Sequence, residues 1–253
     1  MSVAKRVIEE LKKHDIEYSI VKDQSQITLV DEDYQTIVVT LGGDGTILHS
    51  ISNCIKYNIP IFGINVGNLG FLTEIEVEHI AMAMQALKQG MYGIEKRRLL
   101  QMTYDDTDYV ALNEVLFFRN TNRLILLKLT VSDVLVDNYT GDGFIVSTPT
   151  GSTAYSLSCG GSIINPECPV LALTPVNAHT LRSRPLIVGD HNIVQVSLAS
   201  NATADIIVDG KQVATMDSNA VVNLTRSKLY ARFVRIDGCD DFYKKLAKKL
   251  KKP

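Results

Sequence analysis

The sequence predicts an α/β domain followed by a β-rich domain, with one further helix at the carboxyl end. Up to about residue 95, helical patterns alternate with short apolar runs, and two of these runs lead into glycine-bearing loops. After Lys96-Arg97-Arg98 this alternation stops, and β-rich runs separated by polar turns follow. We therefore predict a boundary between two domains near residue 95.

The first domain is predicted to contain a βαβ unit preceded by a helix. Its elements are a helix over residues 2–14, β-like runs at Glu17 to Val21 and Ile27 to Val30, a strand over Thr36 to Thr40, a helix from Thr46 to Tyr57, a strand over Pro60 to Ile64 and a helix over Glu78 to Gln89 that ends at Gly90. Parallel strands joined by one helix end at the same edge of their sheet, so we expect the two glycine loops to lie there together.

The loop Gly42-Gly43-Asp44-Gly45-Thr46 stands between the first strand of this unit and its helix. Glycines let backbone N–H groups approach a phosphate, and the start of a helix adds partial positive charge. Because Asp44 would repel a phosphate, we interpret it as a group that takes a proton from a hydroxyl beside the phosphate. The alternative is that Asp44 or Thr46 only caps the helix.

The second strand of the unit is followed by another glycine-bearing loop, Asn65 to Phe71, with glycines at positions 67 and 70. These glycines either admit a phosphate as well or only shape a tight turn. Two loops of this kind on adjacent strands indicate a nucleotide site more strongly than one loop does, since ligands of open α/β sheets bind at that edge.

The second half is predicted to be an antiparallel sandwich or barrel, because its strands are short and regularly spaced. The predicted strands are Gln101 to Tyr104, Tyr109 to Arg119, Leu124 to Val131, Gly143 to Ser147, Ile193 to Leu198, Asp205 to Val208, Val221 to Leu224 and Leu229 to Ile236. Asp209-Gly210 is the strongest hairpin-turn signal in the chain.

Two polar segments interrupt this β-rich half. Thr148 to Gly161 is dense in hydroxyl groups and glycine, so we expect it to stay out of the core and to offer contacts to ribose, phosphate or a base, with Tyr155 available for stacking. A long irregular loop is the alternative. Asn113-Glu114 lies inside an otherwise apolar strand, where a polar side chain on a buried face needs a partner or a ligand.

The last segment, Asp240 to Lys252, is predicted to be an amphipathic helix. Lysines surround one narrow apolar stripe, which consists of Phe242, Tyr243, Leu246 and Leu250. A basic amphipathic helix can lie on a membrane surface. Because the helix is short and the stripe narrow, we favour a helix that packs with its apolar side down and keeps its lysines in solvent.

Composition and charge exclude several classes of partner. With 253 residues, 45% of them hydrophobic, the chain can form the cores of two domains. A net charge of −2 gives no electrostatic reason to expect nucleic acid. The four cysteines include no C-x-x-C pair, no apolar run is long enough to span a membrane, and no Asp, Glu or His cluster has the spacing of metal ligands. We expect a cytoplasmic protein with reduced thiols, without a membrane partner and without a metal site made of side chains.

Several motifs together span nearly all of residues 36–236: Gly42 to Thr46, Gly63 to Leu72, Asn113-Glu114, Asp142-Gly143, Thr148 to Ser158 and Arg184-Pro185. In this order and spacing they resemble prokaryotic NAD kinase, the family of ATP-NAD and polyphosphate-NAD kinases. The Gly-Gly-Asp-Gly-Thr motif is shared with other kinases, whereas the Thr-Pro-Thr-Gly-Ser-Thr-Ala-Tyr run is close to diagnostic. The resemblance implies a Rossmann-like α/β domain of residues 1–95, joined by a returning helical segment of residues 237–253, and a β-sandwich NAD-binding domain of residues 96–236.

The resemblance implies transfer of the terminal phosphoryl group of ATP, or of polyphosphate, to the 2′-hydroxyl of the adenosine ribose of NAD, which gives NADP. Such a transfer depends on positioning and charge neutralisation, so an ordinary carboxylate suffices as the base. Mg²⁺ on the donor phosphates would offset their repulsion by Asp44. The resemblance also implies NAD and ATP as small-molecule partners and a homodimer or homotetramer.

Carried over to this chain, the resemblance assigns roles to residues of both domains. Asp44 is expected to be the catalytic base, beside a phosphate loop of Gly42, Gly43 and Thr46. Asn113 and Glu114 correspond to a pair that holds the adenosine base and ribose hydroxyls. All expected substrate contacts are Gly45, His49, Phe71, Asn113, Glu114, Asp142, Thr153, Ala154, Tyr155, Ser158 and Asn177.

Two other functions remain open at this point. A lipid kinase of the diacylglycerol kinase type shares the aspartate-containing loop and would place the C-terminal helix at a membrane, but the run from Thr148 to Ser158 argues against it. A non-catalytic NAD-binding protein would not need Asp44.

The hairpin also departs from the family, which commonly has glutamine at the position of Lys211.

Overall fold

The computed structural model describes residues 2–28, 35–68, 70–179, 183–199 and 202–251. The chain forms two compact units: the first consists of residues 1–96 and 231–253, and the second of residues 97–230. Part of the predicted run at Ile27 to Val30, as well as Leu69 of the second glycine loop and Lys252 of the C-terminal segment, lie outside the described residues.

Helices and strands alternate in the first unit, and strands dominate the second. The helices are α1 (Val3–Lys13), α2 (Asp44–Lys56), α3 (Ile80–Lys88), α4 (Tyr155–Ser158) and α5 (Phe242–Leu250), with 3₁₀ turns at Gln24–Gln26, Val77–His79 and Gly151–Thr153. The strands are β1 (Val38–Gly42), β2 (Ile61–Asn65), β3 (Ile75–Glu76), β4 (Tyr92–Tyr104), β5 (Thr107–Ala111), β6 (Glu114–Arg119), β7 (Ile125–Val131), β8 (Val134–Gly141), β9 (Gly143–Ser147), β10 (Val170–Val176), β11 (Leu186–Gly189), β12 (Val194–Leu198), β13 (Ala204–Val208), β14 (Lys211–Met216) and β15 (Val221–Ile236). Within the described ranges, no helix has the length and apolar character needed to cross a membrane.

The first unit is built on parallel strand pairs, as the predicted βαβ unit requires. β1 pairs with β2 from Val38 opposite Ile61 to Gly42 opposite Asn65, and α2 connects the two strands. β3 pairs with the end of β2, and Phe233 of β15 pairs with Ile61. Because Gly42 and Asn65 are register partners, the two glycine loops begin at the same edge of the sheet, which confirms that prediction.

Apolar side chains of α1, α3, β2 and β15 form the core of the first unit. Val7 and Leu11 lie one helical turn apart on α1 and are both buried. The other buried members of this core are Phe62, Ile64, Ile75, Ile80, Ala83, Met84, Ala86, Val234 and Ile236. Burying a large aliphatic side chain of this kind contributes about 1.5–3 kcal/mol to folding, so this core anchors the strands that carry the glycine loops.

The predicted run at Glu17 to Val21 is not a strand, and that prediction was wrong. Tyr18, Ile20 and Val21 have the side chains that strands favour, but they are 41%, 68% and 42% exposed. No strand of the described chain pairs with this segment. Strand preference depends on packing against neighbouring strands, and among the described residues this segment has no such neighbour.

The second unit is a β-sandwich, the first of the two predicted alternatives. One sheet has the strand order β11-β10-β9-β6-β13-β14, and the other contains the antiparallel series β15-β12-β7-β8 and the pair β4-β5. Alternate residues along the strands of both sheets enter a single core, for example Val115 and Phe117 of β6 with Leu127 and Leu129 of β7. This alternation is expected where two sheets pack face to face.

The strand boundaries in the second unit differ from the prediction in several places. The run from Tyr109 to Arg119 is broken into β5 and β6, and β15 is one long strand where two were predicted. β8, β10 and β11 were not predicted. Pro175 lies within β10, and a proline has no N–H to give to a sheet, so the sequence of this segment argues against a strand.

The hairpin predicted at Asp209-Gly210 is confirmed. β13 and β14 pair in antiparallel register, with Val208 opposite Lys211. The turn residues Asp209 and Gly210 have φ values of +46° and +82°. A two-residue turn in which both residues have positive φ matches the twist of the flanking strands, and Asp-Gly is among the sequences that favour it.

The C-terminal helix α5 packs within the first unit, as predicted. Its packed side includes a lysine, and part of the predicted apolar stripe is exposed. Tyr243 and Leu250 of that stripe are 62% and 68% exposed, whereas Lys245 is only 4% exposed. The ammonium group of Lys245 donates to the carbonyl of Thr73 at 2.5 Å and lies 3.7 Å from the carboxylate of Glu74. A lysine can be buried here because its charge meets an acceptor and a counter-ion.

Candidate active site

Asp44 is the first residue of α2, and its side chain is held by the second glycine loop. The backbone N–H of Phe71 donates to Asp44 Oδ2 at 2.8 Å, and the N–H of Leu72 donates to Oδ1 at 3.0 Å. The N-cap of α2 is Gly43, and no side chain caps this helix. The alternative that Asp44 or Thr46 merely caps the helix is therefore wrong, and the carboxylate is fixed toward the loop that follows β2.

The glycines of the two loops fall into two groups. A Cβ atom on Gly70 would lie 2.0 Å from Asp44 Oδ1, and one on Gly42 would lie 2.2 Å from the hydroxyl oxygen of Thr46, so these glycines are required for close packing. At Gly43 and Gly45 a Cβ atom would meet no heavy atom within 4 Å. Their backbone borders open space at the start of a helix, which is where an anion can be bound.

The backbone that follows Phe71 is held by groups from the end of the chain. Arg235 donates to the carbonyl of Leu72 at 3.3 Å and to the carboxylate of Glu74 at 2.7 Å. Lys245 holds the carbonyl of Thr73, as described above. Because β15 and α5 both bind this short segment, the backbone of residues 71–74 is fixed. The two N–H groups that orient Asp44 are fixed with it.

The ring of Phe71 also contacts α5. Its centroid lies 5.8 Å from that of Phe242, and the ammonium group of Lys249 lies 4.1 Å from the ring centroid. A cation at this distance from an aromatic face is attracted to it. Phe71 is therefore a buried link between the segment that orients Asp44 and the C-terminal helix.

Lys245→Met should lower the melting temperature of the protein. The substitution keeps the aliphatic stem but leaves Glu74 and the carbonyl of Thr73 without the ammonium group, a loss of about 2 kcal/mol. For a chain of this size that corresponds to a melting temperature lower by about 4–8 °C, measurable by calorimetry. Lys244→Met is the control, because Lys244 is exposed on the same helix. A Lys245→Met protein as stable as the wild type would show that the buried amine contributes no net stability.

Asn113 lies in the corner between β5 and β6, and Glu114 is the first residue of β6, which corrects the predicted continuous strand. Both residues are 8% exposed. The backbone of this corner is bonded to Thr148, whose N–H donates to the carbonyl of Asn113 at 2.9 Å. The structure therefore brings the Asn113-Glu114 pair together with the start of the hydroxyl-rich run.

Half of the hydroxyl-rich run is buried, namely residues 148–152, 156 and 161, contrary to the prediction that it cannot form core. Thr148, Ser152 and Ser156 have no exposed surface. Hydrogen bonds within the fold make this burial possible: Ser152 Oγ donates to the carbonyl of Pro149 at 2.6 Å, and Ser156 Oγ bonds with Thr174 Oγ1 at 2.8 Å. These hydroxyls serve the fold and are not available to a ligand.

The candidate contact residues of this run lie nearer the surface. Thr153 and Ala154 are partly exposed, and Ser158 is exposed. Tyr155 opens the short helix α4 and is 40% exposed, so the face of its ring can accept a base. The residues carried over from the resemblance are thus accessible, as are Leu157 and Gly160 of the same run.

Asp142 is joined to Asn177 and to a residue that the sequence did not single out. Arg119 Nε donates to Asp142 Oδ1 at 2.5 Å, and Asn177 Nδ2 donates to Oδ2 at 2.9 Å. These two partners, Asn177 first and Arg119 after it, hold the pKa of Asp142 below its usual value. Arg119 could have been found only from the register, in which Phe118 pairs with Gly143 and brings Arg119 beside Asp142.

The remaining candidates lie on α2. Thr46 and His49 are exposed, as is Gly45. The structure brings Asp44 and Phe71 together in the first unit. It places His49 on the exposed surface of α2, and among the described hydrogen bonds and ion pairs none involves its ring. A further residue that the sequence did not assign to the site is Asp209, whose carboxylate accepts from the backbone N–H groups of residues 112–114.

Comparison with known proteins identifies the family. The family model of the ATP-NAD kinase N-terminal domain matches residues 2–92, and that of the ATP-NAD kinase C-terminal domain matches residues 112–236. The NAD kinase of Caldicellulosiruptor saccharolyticus is 32% identical over 246 residues, which cover 97% of this chain and 92% of that protein. The NAD kinase of Methanothermobacter thermautotrophicus is 34% identical over 260 residues, with coverages of 99% and 91%.

Solved structures agree with these relatives. The NAD kinase of Archaeoglobus fulgidus, solved in complex with ATP, matches with a TM-score of 0.78 and 27% identity, over 94% of this chain and 91% of that one. Yeast NADH kinase, solved in complex with NADH, matches with a TM-score of 0.77 and 28% identity, over 85% of this chain and 65% of that one. With both family models matched and relatives aligned over nearly its whole length, the chain belongs to the NAD kinase family.

Proposed function

We propose that this protein transfers the terminal phosphoryl group of ATP to the 2′-hydroxyl of the adenosine ribose of NAD and releases NADP and ADP. The observation that carries the proposal is the Asp44 carboxylate, fixed by two backbone N–H groups at the start of α2 beside glycines that border open space. Membership of the NAD kinase family supports NAD as the acceptor, and the relatives solved with ATP and with NADH support these two kinds of ligand.

In this proposal Asp44 receives the proton of the attacking hydroxyl. The ribose oxygen forms a bond to the γ-phosphorus, the bond from that phosphorus to the bridging oxygen of ADP breaks, and the hydroxyl proton passes to the carboxylate. The N–H groups of Phe71 and Leu72 each occupy one site on a carboxylate oxygen, so both oxygens keep room for a proton. Holding the base in place removes the cost of orienting it during the reaction.

We assign recognition of NAD mainly to the second unit, which we interpret as the NAD-binding part of the protein. Asn113 and Glu114 hold the base and ribose hydroxyls, Tyr155 stacks on a base, and Asp142 with Asn177 contacts the far end of the dinucleotide. The exposure of Tyr155 and the hydrogen bond between Asn177 and Asp142 support these roles. The other residues in this assignment are Gly45, His49, Phe71, Thr153, Ala154 and Ser158.

The donor phosphates are assigned to the backbone of the first glycine loop, with Gly42, Gly43 and Thr46. We place Mg²⁺ on the phosphates, because among the described residues no three His, Cys, Asp or Glu side chains come together as metal ligands. When bound there, Mg²⁺ neutralises charge on the phosphates that Asp44 would otherwise repel. Polyphosphate presents the same terminal group, so either donor fits this arrangement.

We further propose a cytoplasmic homodimer or homotetramer. The thiols of the cysteines are free, which suits a reducing compartment. Val134, Leu135 and Val136 of strand β8 are 66%, 48% and 44% exposed, and an apolar strand with this exposure is suited to pairing with a second copy. Light scattering during size-exclusion chromatography measures the mass, and a strict monomer would refute the oligomer.

A coupled assay tests the proposed function. Purified protein is incubated with NAD, ATP and Mg²⁺, and NADP is detected with an NADP-specific dehydrogenase. We expect NADP to accumulate only with all components present, and its absence would overturn the proposal. Parallel reactions with polyphosphate and with diacylglycerol in mixed micelles identify the donor and test the lipid kinase alternative. Binding of NAD in calorimetry without any NADP would indicate a non-catalytic binder.

A further inference from the structure

The carboxylate of Asp209, in the β13–β14 turn, is bonded to a distant part of the second unit. Aspartates in hairpin turns usually face solvent or their own backbone. Here the N–H of Leu112 donates to Oδ2 at 2.7 Å, and those of Asn113 and Glu114 donate to Oδ1 at 2.8 and 3.1 Å. The N–H of Asp209 donates in turn to the carbonyl of Glu114 at 3.0 Å. The turn therefore holds the corner between β5 and β6.

The carbonyl groups of this corner are held as well. Thr148 Oγ1 donates to the carbonyl of Leu112 at 2.6 Å, and the N–H of Thr148 donates to that of Asn113. A Cβ atom on Gly151 would lie 2.1 Å from the carbonyl oxygen of Asn113, so only glycine allows this approach. Asp209 accepts from the N–H groups of the corner, and Thr148 donates to its carbonyl groups. The backbone of the corner is therefore fixed by the protein itself and does not need a ligand to order it.

We propose that Asp209 is a positioning residue for nucleotide recognition, whose carboxylate fixes the backbone of residues 112–114 and so the directions in which Asn113 and Glu114 present their side chains. The inference rests on the proposed function, because it takes this pair to contact NAD. Asp209 itself needs no contact with the substrate. Its charged carboxylate makes stronger hydrogen bonds to the three N–H groups than a neutral side chain would.

Asp209 also affects the charge of Glu114. Within the described residues, Glu114 Oε2 is buried and has no hydrogen-bond partner. Burial, and after it the negative charge of Asp209, raises the pKa of Glu114 to about 8. Among the described residues, the Cys159 thiol also interacts electrostatically with Glu114, and its own pKa is raised, chiefly by burial. At neutral pH Glu114 is thus protonated and can donate a hydrogen bond to a nitrogen or oxygen of the nucleotide.

The two carboxyl groups differ in the hydrogen-bond donors that surround them. Burial raises the pKa of Asp209, but its hydrogen bonds from the three N–H groups oppose that rise. Glu114 Oε2 has no such donor in the described part of the chain. The hydrogen bonds therefore support the charged form of Asp209 and not that of Glu114, a difference in environment of the kind that separates the pKa values of two neighbouring carboxyl groups.

Asp209→Asn tests this inference. The amide keeps the size of the side chain but turns an NH₂ group toward a backbone N–H and removes the charge. We expect KM for NAD, and its dissociation constant measured by calorimetry, to rise at least about tenfold with a smaller change in kcat. Without the neighbouring anion the pKa of Glu114 falls, so its proton is lost at lower pH and the alkaline limb of kcat/KM moves toward acid.

Asp205→Asn is the matched control, because Asp205 lies on the same hairpin and its carboxylate bonds to Asn120 and Thr215 instead. Neither KM nor the alkaline limb should change in this variant. Unchanged KM, NAD binding and pH profile in Asp209→Asn would overturn the positioning role. A wild-type protein that binds NAD but forms no NADP would overturn the proposed function alone, because the binding measurements still test Asp209.

Glu114→Gln provides a second test that does not depend on how well Asp209→Asn folds. Glutamine can donate a hydrogen bond but cannot titrate, so this variant removes the pH dependence that comes from Glu114 whatever its affinity for NAD at pH 7. The alkaline limb near pH 8 should disappear, whether it is followed through NAD binding or through kcat/KM. A Glu114→Gln protein that retains this limb would overturn the assignment of the proton to Glu114.

Discussion

Asp44→Asn should lower kcat by about 10³-fold and leave the dissociation constant for NAD within a few-fold of the wild type. The amide oxygen can still accept one of the two N–H bonds from Phe71 and Leu72, but the amide cannot take up the proton of the ribose hydroxyl. The coupled NADP assay gives kcat, and calorimetry gives the affinity for NAD. A loss confined to kcat indicates an interaction used in the transition state.

Asp23→Asn is the control for this prediction. Asp23 also belongs to the first unit and accepts a backbone N–H, that of Ser25, but it stands at the start of a short 3₁₀ turn. Its replacement should leave kcat unchanged. If Asp44→Asn had the same kcat as Asp23→Asn and the wild type, Asp44 could not be the base. The proposed mechanism would then have to be abandoned.

Features whose signals lie within a few neighbouring residues could be predicted from the sequence. The Asp209-Gly210 turn is one, because positive φ at two successive residues selects a small set of residue types. The parallel pairing of β1 with β2 is another, since a strand, a helix and a strand at this spacing have few alternative arrangements. The regular spacing of short strands predicted a sandwich or a barrel, without deciding between them.

The partners of the polar side chains could not be predicted, because they depend on register and on contacts far apart in the chain. Asp44 bonds to backbone 27 residues away, Asp209 to backbone 97 residues away, and Lys245 to a carbonyl 172 residues away. The residues beside Asp209 in the sequence do not indicate that its carboxylate bonds to the backbone of residues 112–114 rather than to water. For the same reason the buried hydroxyls of Ser152 and Ser156 resembled loop residues.

Gly70 offers a way to disturb the base without changing it. In Gly70→Ala the new Cβ would lie 2.0 Å from Asp44 Oδ1, 2.8 Å from its Cγ and 3.0 Å from Thr73 Oγ1, so the carboxylate must move. A displacement of about 1 Å in a catalytic group can cost about 10²-fold in rate, and we expect a loss of that order in kcat. The nearest atoms belong to a side chain that can rotate away, so the free energy of unfolding should fall by only about 1–2 kcal/mol.

Comparing the loss in kcat with the loss in the free energy of unfolding distinguishes a displaced carboxylate from a folding defect. Gly93→Ala is the matched control, because Gly93 lies in the same unit, has an ordinary φ and would place its Cβ in open space. We expect it to keep both wild-type kcat and wild-type stability, measured by the coupled assay and by denaturant unfolding. A Gly70→Ala protein with undiminished kcat would mean that the carboxylate does not need the N–H groups of Phe71 and Leu72. If kcat falls a hundredfold while most of the protein stays folded, the position of the Asp44 carboxylate, and not its presence alone, determines the rate.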